Sequence, residues 1–249
     1  MGSAFAKHFA KNHSVLLYDR NGAQAQALAK EIGCSFKESL SSAVEEADQV
    51  LLAIKPKDLS ALAKASADVF TEKKVLISIL AGTPISLLKQ NFPKAMIVRS
   101  MPNLALVFGQ GVMGLAENGH LSPQLKQQVN TLLEGIGLII WMPENKIDAL
   151  TALSGSGIGF VLVMIEAMIE GGVHLGFTAE ESKEIVLKTI EGALALMRGS
   201  GKHPAELKLQ IASPGGTTIA GLKVLEEKGV RSGIVHALVA CYEKAQRML

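Results

Sequence analysis

Cysteine is nearly absent from this chain of 249 residues, which carries only Cys34 and Cys241. Two lone thiols cannot build a disulfide scaffold or a thiolate metal cluster, and the plain reading is a reducing, cytoplasmic compartment. Aromatics are also scarce, at 4%, and charge nearly cancels, 25 basic against 23 acidic residues for a formal net of +2. Grooves for single-stranded nucleic acid combine a basic track with stacking aromatics. Both are thin here, so no nucleic-acid partner is expected. No apolar run reaches the roughly 18 residues that a membrane span needs, so no membrane association is expected. The most apolar stretch, Phe160 to Ile165, is broken by Glu166. His8, His13, His120, His174, His203 and His236 show no metal-ligand spacing, and no metal is expected. The opening Met1–Lys7 lacks the basic region and apolar core of a signal peptide, and it reads as the start of a helix through Phe9 and Ala10.

What is abundant is apolar material, at 48% hydrophobic residues against 19% charged. That suffices for a buried core, and the length fits one or two domains. Up to about residue 146, short apolar runs alternate with helical stretches. The runs Val15–Tyr18, Val50–Ile54, Val75–Ile79 and Met96–Val98 read as strands, with weaker ones at Val112–Ala116 and Leu138–Trp141. Continuous apolar strands alternating with helices imply an α/β fold with a parallel sheet covered on both faces. Ligands of such sheets sit outside the carboxyl ends of the strands. The informative residues are therefore Asp19, Arg20, Lys55, Pro56, Ala81, Gly82 and Asn103.

Beyond Lys146 the pattern turns all-helical, with helices expected over 157–175, 179–198, 204–211, 218–228 and 231–248. The first is apolar nearly all round, which predicts burial on all sides, and a second subunit would supply the cover. The division expected is 1–146 for a cofactor domain and 147–249 for a helical domain.

Several short motifs carry chemistry. Gly2-Ser3 at a helix start could meet a pyrophosphate with unpaired amides. In Asp19-Arg20, an acidic residue would bind a ribose hydroxyl and an arginine a 2′-phosphate; a solvated turn is the alternative. Lys55-Pro56 reads equally as a strand stop. Ser213-Pro214-Gly215-Gly216-Thr217-Thr218 is the sharpest stretch. Its two glycines let backbone approach a ligand, and the amides of Gly216, Thr217 and Thr218 would form a carboxylate site at a helix start. A capped turn is the plainer reading. Ser154-Gly155-Ser156-Gly157 resembles a flexible junction between the domains.

Taken together, these residues resemble pyrroline-5-carboxylate reductases over nearly the whole chain. The segments that carry the likeness are Ser213 to Leu222, Asp148 to Gly157, Gly199 to Leu207, Ala53-Ile54-Lys55-Pro56 and Arg99-Ser100-Met101-Pro102-Asn103. The resemblance implies a Rossmann-like domain for NADPH, or NADH, and an all-α domain that interlocks in a homodimer or higher homo-oligomer. It implies reduction of 1-pyrroline-5-carboxylate to L-proline. Gly2, Ser3, Arg20, Ala53, Ile54, Lys55, Pro56, Ala81, Gly82 and Asn103 would bind the cofactor. Gly215, Gly216, Thr217 and Thr218 would bind the substrate, with Thr218 on the ring nitrogen as the catalytic residue.

The chain departs from the family pattern at four places. The family opens with a strand and G-x-G-x-M-G, whereas Met1 here coincides with the Met-Gly of that motif. The expectation is a sheet without its first strand, a loosened first domain and weak NADPH binding. Asn103 is followed by Leu104-Ala105-Leu106 rather than Thr-Pro-Ala. Gly157 is followed by Ile158-Gly159-Phe160 rather than Pro-Ala and an aromatic, and Leu40 stands where an Asn is frequent. Two rival readings remain at this stage: another Rossmann imine or β-hydroxyacid reductase, and a dimeric remnant without catalysis.

Overall fold

The computed structural model describes residues 1–119 and 121–247; His120, Met248 and Leu249, included in the expectations above, lie outside the described residues. The chain divides into two compact units, Met1–Gly155 together with the chain end from Cys241, and Ser156–Ala240.

The first unit alternates helix and strand. Helix α1 (Gly2–Phe9) buries Phe5 and Phe9, one turn apart. A two-residue strand β1 (Leu16–Leu17) leads to α2 (Gly22–Ile32), which Asn21 caps and which stops at Gly33 with φ 71°. Strand β2 (Ser35–Phe36) and α3 (Leu40–Glu46), capped by Ser39, follow; neither was expected from the apolar pattern. Next come β3 (Gln49–Leu52), α4 (Leu59–Ser66), β4 (Val75–Ser78), α5 (Ile85–Asn91) and β5 (Met96–Pro102). The series ends with β6 (Gly111–Glu117), α6 (Pro123–Leu132), β7 (Gly137–Pro143) and the single turn α7 (Ile147–Leu150).

Five strands form one sheet in the order β3-β4-β5-β6-β7, while β1 and β2 pair in parallel as a separate ribbon. The pairs β3–β4, β4–β5 and β6–β7 are parallel. The pair β5–β6 is antiparallel, which corrects the uniformly parallel sheet expected from the apolar runs. Only residues 103–110 join these strands, folded into a tight 3-10 segment that Gly109 closes at φ 69°. So short a link cannot carry the chain back across the sheet for a parallel return.

Side chains alternate across the pleat. Val75 and Ile77 join Phe5 and Phe9 of α1 and Val129 and Leu133 around α6 in one core. Leu76 and Ile97 join Leu59 of α4, Leu88 of α5 and the Phe70–Phe92 pair in the other. Both faces of the sheet are thus covered by helices.

The second unit is helical: α8 (Gly157–His174), α9 (Ala179–Ser200), α10 (Pro204–Ile211), α11 (Thr217–Glu227) and α12 (Val230–Gln246), whose last turns group with the first unit. Helices α8 and α9 approach closely where Gly172 faces buried Ser182; a Cβ on Gly172 would lie 2.6 Å from the Ser182 hydroxyl. No residue of α8 is buried in the single chain, and Leu162 and Val163 stand 57% and 63% exposed.

The sequence 154–157 is not an irregular linker. Thr151–Ser156 form a π-helical stretch that runs α7 into α8. The helical run therefore extends over the 31 residues Glu144–His174, with a mean hydropathy of 1.9 in its most apolar window. By length and composition alone it could cross a membrane, which corrects the expectation that no stretch would qualify. Glu166 and Glu170 interrupt the apolar run within α8 but do not end the helix.

Helix α9 opens on a reciprocal cap: Thr178 donates from its amide and hydroxyl to Glu181, and the Glu181 amide donates back to the hydroxyl. The bond from the Thr178 backbone, then that from its side chain, holds the Glu181 carboxyl below the usual carboxylate range. A carboxyl depressed in the folded state contributes stability above its unfolded pKa and loses it as pH falls through the folded value. Thr178→Ala is therefore expected to flatten the acid limb of the stability profile. Thermal melts near pH 7 and near pH 3, either side of the ordinary Glu value of about 4.3, check this.

Candidate functional site

The carboxyl ends of the first unit's strands gather most of the sequence-derived cofactor candidates. At the start of α1 the amides of Ala4 and Phe5 turn back to the Met1 carbonyl. Those of Gly2 and Ser3 have no partner among the described residues. Gly2 lies against the end of β3, where a Cβ on it would sit 3.3 Å from that of Ala53. Backbone amides at a helix start, open to close approach, suit a phosphate group. Lys7–Glu31 and a bond between His8 and the Glu134 carbonyl, at 2.8 Å, hold α1 in place.

Arg20 follows β1 and bonds Asp58 at 3.1 Å, while its side chain stays 76% exposed. Asp58 closes the 3-10 turn that begins after Lys55, with Pro56 at its first position. The ion pair thus brings Arg20 beside the Lys55-Pro56 turn. One oxygen of Asp19 accepts the Asn21 amide at 2.8 Å, so this carboxylate braces the turn into α2. A shallow cavity of about 320 Å³ opens here, lined by Tyr18, Asp19, Arg20, Phe36 and Glu38.

After β4, Gly82 adopts φ 62°, a conformation that side chains rarely enter, and Ala81-Gly82 folds over buried Thr83. After β5, Asn103 is 6% exposed. Its carboxamide accepts from the Val112 amide at 3.1 Å and donates to the Ser154 hydroxyl at 2.8 Å. Asn103 therefore ties β5, β6 and the π-helical stretch together.

A group that sequence reasoning passed over lies beneath these loops. Arg99 of β5 is 3% exposed, and it donates to Glu144 at 3.1 Å and to Asp148 at 2.7 Å. The same Glu144 oxygen accepts the Ile85 amide at the start of α5, at 2.7 Å. The available signal was a lone arginine inside an apolar strand, because a buried charge requires a partner.

In the second unit, Ser213–Thr218 form the turn between α10 and α11. Gly215 adopts φ 68°, which calls for glycine, while a Cβ on Gly216 would press on the rotatable Ser213 hydroxyl and come within 3.2 Å of the Ser213 carbonyl. The Gly216 amide bonds the Ser213 carbonyl at 3.0 Å. This corrects the expectation that it would be a free donor. The first-turn amides of α11 that lack a partner among the described residues are those of Thr217, Thr218 and Ile219. Thr218 is half-buried and Thr217 exposed.

Among the described residues no three His, Cys, Asp or Glu side chains come together as metal ligands. Cys34 and Cys241 are free, and burial pushes the Cys34 thiol up.

Residues 144–248 match the family model described as pyrroline-5-carboxylate reductase dimerisation, and residues 1–82 match that described as NADP oxidoreductase coenzyme F420-dependent. Pyrroline-5-carboxylate reductase of Aquifex aeolicus is 36% identical, with 100% of this chain and 94% of that protein covered. The enzyme of the same name from Synechocystis is 34% identical, covering 94% and 87%. Among solved structures, the pyrroline carboxylate reductase of Plasmodium falciparum with NADP bound superposes with a TM-score of 0.89 at 29% identity. That likeness covers 100% of this chain and 95% of the other.

The Asn103 links generate a direct test. Asn103→Ala strands the part-buried Val112 amide and is expected to lower unfolding stability by about 1–3 kcal/mol. Urea unfolding measures it, and an unchanged midpoint would remove Asn103 from this role.

Proposed function

The chain belongs to the pyrroline-5-carboxylate reductase family, and from that premise we propose how its residues divide the work of reducing 1-pyrroline-5-carboxylate to L-proline. The enzyme is an NADP-dependent oxidoreductase. The rival readings, another Rossmann reductase or a remnant without catalysis, give way to relatives of this one name along the full chain.

NADPH supplies the hydride, delivered to C5 of the cyclic imine. In our reading residues 1–146 hold it. The free amides of Gly2 and Ser3 take the pyrophosphate, close against Ala53 and Ile54. Arg20 takes a 2′-phosphate beside Tyr18, which favours NADPH over NADH, and its partner Asp58 holds the guanidinium ready. Lys55-Pro56, Ala81-Gly82 and Asn103 form the rim along the strand ends. The left-handed Gly82 and the close approach at Gly2 are the features of this chain that fit a dinucleotide.

Residues 147–249 take the substrate and the partner subunit. The amides of Thr217, Thr218 and Ile219 aim the positive end of α11 at the carboxylate. Gly215 and Gly216 keep the approach clear. The electrophile is the protonated iminium, since a neutral imine accepts hydride poorly. Its proton stays on nitrogen, and the C=N π pair becomes the amine lone pair as the C5–H bond forms. Thr218 bonds the ring nitrogen and fixes C5 in the path of the hydride. Rate enhancement comes from positioning and from fixed dipoles rather than from an ionised acid. The observation that carries this assignment is the turn 213–218, where the left-handed Gly215 is followed by helix-start amides with no partner among the described residues.

We read a homo-oligomer, at least a dimer, from α8, none of whose residues is buried in the single chain, within the matched dimerisation domain. The 31-residue apolar run is then read as subunit interface rather than membrane span, in a cytoplasmic enzyme with no nucleic-acid partner.

Two measurements test the reading. Thr218→Ala is expected to lower kcat/KM for pyrroline-5-carboxylate by one to two orders of magnitude, about 1.5–3 kcal/mol, with NADPH affinity unchanged. Intact kinetics in the folded variant would sink the role. Light scattering at micromolar concentration is expected to give at least twice the chain mass, and a stable folded monomer would refute the interface.

A further inference from the structure

Glu144 directly follows β7 and is not among the residues named above as touching the cofactor. One of its carboxylate oxygens nonetheless accepts twice, from the Ile85 amide at 2.7 Å and from the Arg99 guanidinium at 3.1 Å. Ile85 is the first residue of α5 and immediately follows the Ala81–Pro84 loop. Arg99 lies four residues before Asn103 on β5. A single oxygen therefore joins the loop after β4 to the strand that ends at Asn103. Asp148 also neutralises Arg99, at 2.7 Å, but makes no bond to α5. Neutralising the buried guanidinium would need only acceptors near it. The bond to the helix-start amide is an additional constraint, and it falls on the loop.

We propose that Glu144 is a positioning residue for the cofactor, setting the spacing between the Ala81–Pro84 loop and the Pro102-Asn103 end of β5. The inference rests on the reading above that these two loops border the dinucleotide. Glu144 touches neither cofactor nor substrate in this proposal. It acts through Ile85 and Arg99, and the two halves of its work are separable by mutation.

Four variants of the full chain separate them, read by fluorescence titration of NADPH and by steady-state kinetics. Glu144→Ala removes both links. Asp148→Ala weakens only the Arg99 side. Glu144→Gln keeps an acceptor for the Ile85 amide and loses the charge. Ile85→Pro removes the amide donor without touching the ion pairs, and the ring suits a first helical position. Pro84, at φ −72° and ψ 160°, already has the backbone that a following proline requires.

Expected are Kd and KM for NADPH raised about tenfold in Glu144→Ala and in Ile85→Pro, the order of loss for one charge-assisted hydrogen bond. Glu144→Gln and Asp148→Ala should stay within about threefold, and KM for pyrroline-5-carboxylate should hold in all four. Equal shifts in Glu144→Ala and Asp148→Ala, or unchanged NADPH affinity in Ile85→Pro, would overturn the proposal by reducing Glu144 to a counterion. If Glu144→Ala does not fold, Ile85→Pro against Glu144→Gln decides the matter alone. A wild-type chain that fails to bind NADPH would overturn the cofactor reading and this inference together. A wild type that binds while Ile85→Pro binds equally well overturns the inference alone.

Discussion

A guanidinium buried in a strand must be neutralised, and the first unit is arranged around that requirement. Arg99 sits inside a seven-residue strand whose other members are apolar or small, with 3% of its side chain exposed. Leaving such a charge unpaired would cost several kcal/mol. Its carboxylates come from the β7–α7 corner, far along the chain, so the sheet must be complete before the charge is satisfied. The path of the chain after β7 is thereby set. The α7 turn lies under β5, and its Leu150 packs against Gly114, where any larger residue would collide. Asn103 then reaches Ser154 from the same strand. Two polar contacts, one ionic and one neutral, fasten the start of the long helical run to the strand whose end borders the proposed cofactor rim.

The antiparallel β5–β6 pair makes this arrangement possible. It returns the chain directly alongside β5, so that β7 and the α7 corner follow on the same side as the Arg99 head group. A crossover helix at that point would have carried the carboxylates elsewhere. The short 3-10 link and Gly109 are the local chemistry behind the choice.

Some of this was legible in the sequence. Continuous runs such as Val75–Ser78 announce a strand buried on both faces, and all four residues are buried. Gly33 marks the end of α2 by its chemistry alone, since it takes the left-handed turn that stops the helix. The ribbon β1–β2 was half legible, since Ser35–Phe36 is too short to show a period. Strand direction was not legible at β5–β6, because an apolar run carries no sign. In the candidate site, the adjacent glycines before two threonines point to a turn that opens a helix, and α11 starts there. The inward bond of the Gly216 amide was not legible, since it depends on the Ser213 carbonyl once the turn closes. Glu144 was hidden for another reason. Its partners lie 45 and 59 residues away, a separation that no local pattern encodes.

Among the described residues the ribbon β1–β2 shares no backbone bonds with the five-stranded sheet. Its attachment is by side-chain packing, notably Val15 against the core around Phe9 and Ile77, and by the Arg20–Asp58 pair at the surface. Packing is undirected, whereas a hydrogen-bonded ladder locks register. The ribbon with α2 is therefore joined to the main sheet through side chains, and its register against that sheet is set by packing alone. Arg20, assigned to the 2′-phosphate, rides on that ribbon, while Lys55-Pro56 follows the main sheet. A cofactor held by both would add a polar link between ribbon and sheet where the chain itself supplies the Arg20–Asp58 pair.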